Sequence, residues 1–445
     1  MRFTTSELAD ASGGVVAGDG LVEVDGLGID TRALRRGAGF VALVAERDGH
    51  DFIPAALEAG AAALLVSHPI RVAPVPAVQV ADTAAALLAI GRRARARLPD
   101  RVVGITGSVG KTSTKDLLAA VLSTRWAVAA SDRSFNNEIG VPLTLVGAPE
   151  ATEATVVEMG ARGSGHIALL CDVARPTAAI VTAVSDAHLE LFGSIGQVAR
   201  AKAELVEALP ADGVAILNAD DHLVAAMAER TEADVLRYSL GGELDAEVRG
   251  TDVRLDEQLR PSLQLHTPWG DADVHLAVHG AHQAANAVAA ATAGLALGVD
   301  IDDVVEALGR AKISGLRMEV DRTSSGAIVV NDAYNANPLS MRAALDALAA
   351  LPEARRRTAV LGVMAELGPD SDRLHREVAG HAAAVGIRIV SVAAPGYGIE
   401  GADATADIDA AIDRLGRLGR GDAVLVKGSR VAALERLAAV LLADP

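Results

Sequence analysis

The chain has 445 residues and a formal net charge of −17, and 50% of its residues are hydrophobic while only 2% are aromatic. This length exceeds a single ordinary core, so we expect about two to four domains with cores built from Ala, Val, Leu and Ile. The acidic balance argues against nucleic acid as a partner. The single cysteine, Cys171, excludes a disulfide framework and a cysteine-based zinc site, which fits a reducing compartment.

The first residues lack the basic end and apolar stretch of a signal peptide, and no apolar run is long enough to span a bilayer. We therefore expect a cytoplasmic protein that does not insert stably into membranes, and we expect a monomer. Two arginine clusters, at 92–97 and 355–357, are expected to be solvated surfaces rather than nucleic-acid sites.

Short β-branched runs alternate with Ala- and Leu-rich stretches along the chain, which is typical of α/β domains with parallel sheets. Three blocks separate: we predict a small amino-terminal α/β domain over 1–98, a central domain over 99–316, and a carboxyl-terminal Rossmann-like domain over 317–445.

The predicted elements follow that division. In the first block we predict strands at 40–44, 61–66 and 77–80, a helix near 51–60, and a long Ala/Arg helix that runs to Pro99-Asp100. The third block contains predicted strands near 327–331, 358–363, 388–392 and 422–426.

The most informative segment opens the central block. The apolar run 102–106 leads into Gly107-Ser108-Val109-Gly110-Lys111-Thr112-Ser113 and then into a helix-forming stretch. Glycines let the backbone point its N–H groups at a polyphosphate, Lys111 can reach the β- and γ-phosphates, and the Thr112 hydroxyl can ligate Mg²⁺. Ile105 stands where the usual motif has glycine, but the order of strand, loop and helix is intact. The segment therefore predicts a nucleotide-binding loop in a parallel-sheet domain.

Polar side chains follow the other central strands, at the edge where open parallel sheets bind ligands. Glu158 follows the strand 154–157 and is the best candidate carboxylate for Mg²⁺. His188 follows the strand 178–184, although a hard cation would favour the oxygen of Asp186 over an imidazole. Lys202, judged by its position alone, is expected to be a lysine on a helix surface.

The third block repeats this arrangement. The segment 332–338 brings an acid and several amides after the strand 327–331, and Pro338 is placed to open a helix. After the last strand, Lys427 and Arg430 flank a Gly-Ser pair, and two such cations suit an anion such as a carboxylate or phosphate.

Five separated segments together resemble the ATP-dependent Mur ligases of peptidoglycan precursor synthesis. They are the phosphate loop, Glu-Met-Gly-Ala at 158–161, Ala-His-Leu-Glu at 187–190, His-Gly-Ala-His-Gln-Ala-Ala-Asn at 279–286, and Gly-Leu-Arg-Met at 315–318. Each is weak alone, but five in order are specific, and the likeness covers essentially the whole chain. The segments 134–145, 332–337, 363–368 and 427–430 are most similar to the branch that joins D-Ala-D-Ala to UDP-MurNAc-tripeptide.

The resemblance implies roles for individual residues. ATP would be contacted by Gly107, Ser108, Val109, Gly110, Lys111, Thr112, Ser113, Asn286, Arg317, Asp332 and Tyr334. Mg²⁺ would be held by Thr112, Glu158, His188 and Lys202, the lysine as the carbamate found in relatives, and catalysis would depend on Lys111, Glu158, His188 and Lys202. The two substrates, UDP-MurNAc-tripeptide and D-Ala-D-Ala, would be contacted by Thr31, Arg32, Asn136, Asn137, Asn335, Lys427, Ser429 and Arg430. The amino-terminal domain would hold the UDP end, and Thr31 stands where the family often has serine.

The implied reaction starts when ATP phosphorylates the tripeptide carboxylate. The amine of D-Ala-D-Ala then attacks the acyl phosphate, and an amide, ADP and phosphate are released. Three alternatives stay open: a sister ligase that adds a single amino acid or extends folate with glutamate, a non-catalytic nucleotide-binding module, and a P-loop kinase. The alternative of a P-loop kinase does not explain the third domain.

Overall fold

The structure is a computed structural model that describes residues 1–69, 74–132, 134–185, 189–242 and 245–443. Most of the sheet structure is parallel and lies in three sheets that succeed each other along the chain, with five, nine and six strands. This arrangement confirms the predicted fold class of an α/β protein with three parts. The exact domain boundaries stay a prediction.

The amino-terminal part is built on the five-stranded sheet. Its elements are β1 (Arg2–Thr4), α1 (Thr5–Ser12), β2 (Val15–Ala17), β3 (Glu23–Asp25), β4 (Leu27–Gly28), β5 (Gly39–Val41), α2 (Ile53–Glu58), β6 (Ala63–Val66), β7 (Ala77–Gln79) and α3 (Thr83–Arg95). The sheet order is β2-β7-β6-β5-β4, and β1 pairs separately with β3. Strands β4 to β7 run parallel, so their carboxyl ends share one edge.

The central part carries the nine-stranded sheet. Its elements are β8 (Val102–Thr106), α4 (Lys111–Leu122), β9 (Val128–Ala130), α5 (Gly140–Gly147), β10 (Ala154–Glu158), α6 (His166–Ala174), β11 (Ala178–Val181), α7 (Leu189–Phe192), α8 (Ile195–Glu207), β12 (Val214–Asn218), α9 (His222–Ala225), β13 (Asp234–Ser239), β14 (Val248–Leu255), β15 (Pro261–Thr267), β16 (Gly270–His275), α10 (Gln283–Ala296) and α11 (Ile301–Arg310). The sheet order is β16-β15-β14-β13-β12-β11-β8-β10-β9. Strands β15 and β16 form an antiparallel extension that the sequence analysis did not predict.

The carboxyl-terminal part is a six-stranded sheet with helices. Its elements are β17 (Glu319–Arg322), β18 (Ile328–Asn331), α12 (Pro338–Ala349), β19 (Arg356–Leu361), α13 (Ser371–Ala384), β20 (Arg388–Val392), β21 (Ala404–Thr405), α14 (Ile408–Leu415), β22 (Asp422–Lys427) and α15 (Glu435–Ala443). The order is β17-β18-β22-β19-β20-β21, with only β17 antiparallel to its neighbour. Pro338 opens α12 as predicted, and the Asn337 side chain caps that helix by accepting a hydrogen bond from the Ser340 amide.

Short 3-10 helices complete the secondary structure of the described residues. They are Gly49–Phe52, Ala226–Arg230, Gly368–Asp370, Pro395–Tyr397, Gly401–Asp403 and Arg430–Ala432. None of the helices in these ranges is both long enough and apolar enough to cross a membrane.

The strands beside the phosphate loop are buried on both faces, which is why they read as continuous apolar runs in the sequence. One face packs against α4 and α10, and the other against α3, α5, α6 and α8. The long helix α3 therefore belongs to the core beneath the central sheet as well as to the first part of the chain.

This packing corrects, at Arg95, the prediction that the arginine cluster at 92–97 is a solvated surface, whereas Arg93 and Arg97 are exposed as predicted. Arg95 is only 5% exposed, and its guanidinium donates to the carbonyl oxygens of Ala174, Leu98 and Arg175. The reason is geometric: Arg95 lies on the face of α3 that packs against α6, and only a long side chain can carry its charge to those carbonyls.

Candidate active site

The phosphate loop connects the buried strand β8 to the start of α4. Gly107 has φ +148°, and a Cβ there would lie 1.9 Å from the hydroxyl oxygen of Thr182. Gly110 has φ +83° and caps α4, and a Cβ there would lie 2.4 Å from the side-chain oxygen of Asn286. Both positions therefore require glycine. Ile105, which stands where the usual motif has glycine, is fully buried within β8. A side chain fits at this position because it lies in the strand and not in the loop.

The amino-terminal end of α4 offers donors for an anion. Within the described residues, the amide N–H groups of Lys111, Thr112 and Ser113 have no acceptor, as expected for a first helical turn. Lys111 Nζ lies across the loop and donates to the Gly107 carbonyl at 2.7 Å. Burial lowers the pKa of Lys111, and Glu158 opposes that shift. These groups together form a concave site suited to phosphate oxygens.

Glu158 ends β10 and is 1% exposed. Its Oε2 accepts from the Thr112 hydroxyl at 2.6 Å, and its Oε1 accepts from the Asn136 amide at 2.8 Å. Ser131 Oγ accepts from the Glu158 backbone N–H at 3.1 Å, which fixes the end of the strand. The structure thus joins three predicted residues, and Ser131 is one that the sequence analysis missed. Its position directly after β9, at the same edge, was the available signal.

Asn286 lies behind the phosphate loop on α10. Its side-chain oxygen accepts from the Thr114 hydroxyl at 3.3 Å, and its amide donates to Gln283 at 2.8 Å. Gln283 is buried at 1% exposure and was not singled out, although it stands within the quoted motif 279–286. This pair connects α10 to α4 and supports the shape of the loop.

Lys202 contradicts the expectation of a helix-surface lysine, because it is only 5% exposed. It shares the buried face of α8 with Val198, Ala201 and Leu205, at the spacing that directs one side of a helix onto a sheet. Burial, assisted by the charge of Lys111, lowers the pKa of Lys202 to about 7. Within the described part of the chain, no group accepts a hydrogen bond from its amine.

Arg317 is held in the linker between the central and carboxyl-terminal parts. Its guanidinium lies 4.1 Å over the Tyr334 ring and donates to the Thr112 hydroxyl at 2.9 Å. The Tyr334 hydroxyl in turn makes a hydrogen bond with Ser134 of the central part. Leu316 and Met318, on either side of Arg317, have φ of +62° and +53°, so the linker backbone is strained where it places this side chain.

At the edge of the carboxyl-terminal sheet, Lys427 is buried and forms an ion pair with Asp332 at 2.5 Å. Lys427 also donates to the Asn335 carbonyl at 2.9 Å. Arg430 is instead exposed and pairs with Glu435 at 3.0 Å. Lys427 and Arg430 thus have different acidic partners, and their role toward an anion stays a prediction.

The other predicted substrate residues lie in local contacts. Asn137 caps the start of α5 by accepting from the Gly140 amide at 2.8 Å. Arg32 is 87% exposed and pairs with Asp30 in the turn after β4, beside the half-buried Thr31. Ser429 accepts from the Ala365 amide at 2.9 Å. The roles of these residues toward substrate stay predictions.

Two of the candidate metal ligands, His188 and Asp186, lie outside the described residues. The proposed histidine ligand is therefore carried by the family resemblance alone.

A separate group of metal-type side chains, Asp48, His50 and His68, lies in the amino-terminal part. His50 Nε2 accepts from the Ser67 amide at 3.0 Å, so the imidazole proton must be on Nδ1. Nδ1 then donates to Asp48 at 2.6 Å, and the neutral ring has no free lone pair. This arrangement fits a structural hydrogen bond and does not fit a metal site.

Models of known protein families match all three parts of the chain. Residues 105–294 match the Mur ligase middle domain, 316–430 match the domain described as Mur ligase, glutamate ligase domain, and 23–97 match the domain described as Mur ligase family, catalytic domain. The chain is 39% identical to the UDP-N-acetylmuramoyl-tripeptide--D-alanyl-D-alanine ligase of Mycobacterium bovis, over 100% of this chain and 98% of the relative.

Solved structures give the same answer. A crystal structure of MurF from Acinetobacter baumannii is similar with a TM-score of 0.86 and 30% identity, over 100% of this chain and 99% of that one. The MurF ligase from Thermotoga maritima in complex with ADP has a TM-score of 0.78 and 26% identity, over 94% of this chain and 97% of that one. The resemblance carried by the five short segments is thereby confirmed, and the chain belongs to the Mur ligase family.

Proposed function

We propose that this protein is an ATP-dependent ligase that joins D-Ala-D-Ala to the tripeptide carboxylate of UDP-MurNAc-tripeptide. The observation that carries the proposal is the chain of contacts from Thr112 through Glu158 to Asn136. It connects the phosphate loop directly to a segment assigned to the sugar-peptide substrate. The relatives with whole-chain similarity are named for the same reaction.

The phosphate loop would bind the ATP tail through its amide N–H groups and Lys111. Carboxylate and triphosphate are both anions, so their approach needs positive charge that is already in place. Lys111 supplies that charge, and its partial burial strengthens the interaction because less water competes than at an exposed surface.

The residues present fit Mg²⁺. The Thr112 hydroxyl and the buried Glu158 carboxylate are adjacent oxygen ligands at the loop, which is the donor type this ion prefers. The ion, when bound, would supply charge neutralisation between the β- and γ-phosphates. Asn136 holds the Glu158 carboxylate for that role, and Ser131 holds the backbone N–H of the same residue.

Lys202 fits the carbamate that the family resemblance implies. An amine is nucleophilic toward CO₂ only when deprotonated, and burial lowers the pKa of Lys202 to about 7. Carbamylation forms an N–C bond, releases a proton and turns a buried cation into an anion with two oxygen atoms. His188 would be the remaining ligand.

The carboxyl-terminal part would complete the site. Arg317 donates to Thr112, and Tyr334 contacts Ser134, so both are placed to close over a nucleotide on the central part. Exclusion of water protects an acyl phosphate until the D-Ala-D-Ala amine attacks it. The tetrahedral intermediate then collapses to the amide and releases phosphate. Because ATP is the phosphoryl donor, we place the enzyme in the cytoplasm, and we propose that it acts as a monomer.

The decisive experiment measures phosphate release from ATP and Mg²⁺ with UDP-MurNAc-tripeptide and different acceptors. We expect turnover with D-Ala-D-Ala and none with single amino acids. Turnover with a free amino acid would move the enzyme to a sister reaction. A folded protein that shows no turnover with any of the acceptors would instead be a nucleotide-binding module.

The carbamate has its own test, which does not depend on turnover. Protein equilibrated with ¹³C-bicarbonate should show a carbamate signal by ¹³C NMR, and Lys202→Met should abolish it. Lys312→Met, at an exposed lysine, is the matched control and should leave the signal unchanged. A signal that survives Lys202→Met would contradict the assignment.

A further inference from the structure

The carboxyl-terminal sheet has a cavity at its other edge, where β19 and β22 begin. The cavity has a volume of about 420 Å³ and is lined by Arg355, Arg356, Arg417, Arg420, Gly419 and Asp422, among others. The candidate active site lies at the opposite ends of these strands, at Lys427. The length of β22 separates the two by about 17 Å, from the usual rise per strand residue.

The lining of this cavity carries a net positive charge. Arg356 is used structurally: it holds Asp422 through two contacts at 2.5 and 2.6 Å, and the Gly419 amide donates to the same carboxylate at 2.8 Å. Arg355, Arg417 and Arg420 are exposed, and among the described residues their side chains have no hydrogen bond or ion pair. The one carboxylate in the lining is therefore already satisfied, whereas three guanidinium groups are not.

The chain has 58 acidic and 41 basic residues, so carboxylates outnumber cations overall. Elsewhere on the surface, Arg310, Arg342 and Arg373 each pair with a glutamate. Around this cavity, by contrast, three arginines line the same surface and have no acidic partner among the described residues. Such a cluster raises the free energy of the folded state unless an anion neutralises it.

The backbone beside the cavity adds donors. The loop 416–421 has Gly416 at φ +63° and Gly421 at φ +92°. Within the described residues, the amide N–H groups of Arg417, Leu418 and Arg420 have no acceptor. Successive free N–H groups in a glycine-containing turn form a concave surface that suits an anion. The free amides and the free guanidinium groups thus belong to the same lining.

We propose that this cavity is a second anion site, which binds a phosphoryl group of either a soluble diphosphate or a phospholipid headgroup. Arginine forks and amide N–H groups match the oxygens of a phosphoryl group in bidentate geometry. The volume is at the lower end for small-molecule sites, which suits a headgroup or diphosphate better than a whole nucleotide. This second anion site is separate from the candidate active site. It would give the protein a function in addition to the ligase reaction.

The first arm of the test titrates inorganic pyrophosphate calorimetrically into full-length Lys111→Ala protein, in which the phosphate loop is weakened. We expect saturable binding that becomes weaker with added salt. Adding Arg355→Ala, Arg417→Ala and Arg420→Ala should weaken it by about tenfold or more, since charge-assisted bonds carry it. The charge-matched control is Arg310→Ala, Arg342→Ala and Arg373→Ala, which should change the affinity little.

The second arm measures co-sedimentation of the otherwise wild-type protein with phosphatidylcholine vesicles that do or do not contain phosphatidylglycerol. We call the protein with Arg355→Ala, Arg417→Ala and Arg420→Ala the cavity triple variant. A lipid headgroup would be identified as the source if the protein binds only to the anionic vesicles, and if the cavity triple variant loses this binding while the control variant keeps it. Pyrophosphate binding with the same pattern would identify a soluble diphosphate. Equal binding by the cavity and control variants in both arms would overturn the proposal. Ligase turnover should be unchanged in the cavity variant, because none of its residues touches the reaction site.

Discussion

Two lysines at the active site show how burial changes the role of a residue. Lys202 is 5% exposed and Lys111 is half-buried, and the charge of Lys111 contributes to the lowered pKa of Lys202. Two cations that are close together and at least partly buried are costly unless anions offset them. A triphosphate beside Lys111 and a carbamate on Lys202 would each remove part of that cost. These residue types therefore fit a site whose positive charge is balanced only when its ligands are bound.

Lys111→Ala is expected to abolish turnover while the fold survives. Removal of one preorganised charge typically costs about 10²–10³ in rate, and here the lysine also positions the phosphates. Phosphate release measures the activity, and the thermal midpoint measures the fold. Lys312→Ala, at an exposed lysine, is the control. A folded Lys111→Ala enzyme that keeps its activity would refute the assignment of the loop.

At the scale of elements, the residue at which each strand ends determines where the side chains of the candidate active site lie. β11 stops at Val181, three residues before the predicted end, because the following backbone turns onto the phosphate loop. Ser108 N–H donates to the Ala183 carbonyl at 2.7 Å, and the Thr182 hydroxyl donates to the Val109 carbonyl at 2.5 Å. The apolar run continues through Val184 in sequence, so periodicity alone could not show where pairing in the sheet ends.

Gly107→Ala tests this contact between β11 and the loop. An added Cβ would clash with Thr182 in a backbone region that side chains disfavour, at a cost on the order of 2 kcal/mol. We expect nucleotide affinity to fall by about tenfold or more, measured with a fluorescent nucleotide.

Gly380→Ala is the matched control, since no atom lies within 4 Å of the added Cβ in α13. That substitution should leave nucleotide binding unchanged and stabilise the helix by about 0.5–1 kcal/mol. Equal nucleotide affinity in the two variants would mean that the loop is not constrained as the structure indicates.

α13 also supports the loop that follows β19. His375 is 2% exposed, accepts from the Met364 amide at 2.9 Å through Nε2, and lies 2.7 Å from the Ser371 carbonyl through Nδ1. Nε2 is therefore unprotonated, and burial lowers the pKa of His375. Protonation would remove the acceptor for Met364, two residues from Glu366 in the segment that resembles the family.

This arrangement predicts a pH dependence of stability. Below the unfolded pKa of 6.5, the unfolded chain binds a proton that folded His375 resists, so the free energy of unfolding falls as the pH falls. The stability advantage of the wild type over His375→Gln should therefore shrink by roughly 1 kcal/mol between about pH 7.5 and 5.5, measured by urea unfolding. His166→Gln, at an exposed histidine, is the control. An advantage that is constant or that grows at low pH would contradict the tautomer assignment.

At the scale of the whole molecule, polar groups join the carboxyl-terminal part to the central part. Tyr334 contacts Ser134, the Glu190 amide donates to the Glu366 carbonyl at 3.4 Å, and the strained linker holds Arg317 against Thr112. Polar contacts of this kind suit a surface that opens and closes with ligands.

ATP and UDP-MurNAc-tripeptide together are therefore expected to compact the particle in solution. Small-angle scattering should show a smaller radius of gyration with both ligands than with neither, because both are expected to bind between the parts. Tyr334→Phe, which removes the hydroxyl that reaches Ser134, should reduce the change. An unchanged scattering curve with both ligands bound would count against closure.

Much of this protein was determined by sequence alone. The alternation of apolar and helical runs predicted the parallel sheets, because strands buried on both faces must be continuously apolar. The phosphate loop was predicted by its local backbone requirements, which glycine at 107 and 110 satisfies within a few residues. The five short segments in order were enough to indicate the Mur ligase family, which the comparisons confirm.

Other features were decided only by the tertiary structure, because they depend on groups that are distant in the chain. The burial of Lys202 follows from the face that α8 turns to the sheet, and that of Arg95 from the packing of α3 on α6. The pairing of Lys427 with Asp332 joins residues that are 95 positions apart in the chain. The arginine cavity likewise forms from two loops far apart in sequence. Local patterns encode local geometry, whereas burial and charge pairing are fixed only once the sheets have assembled.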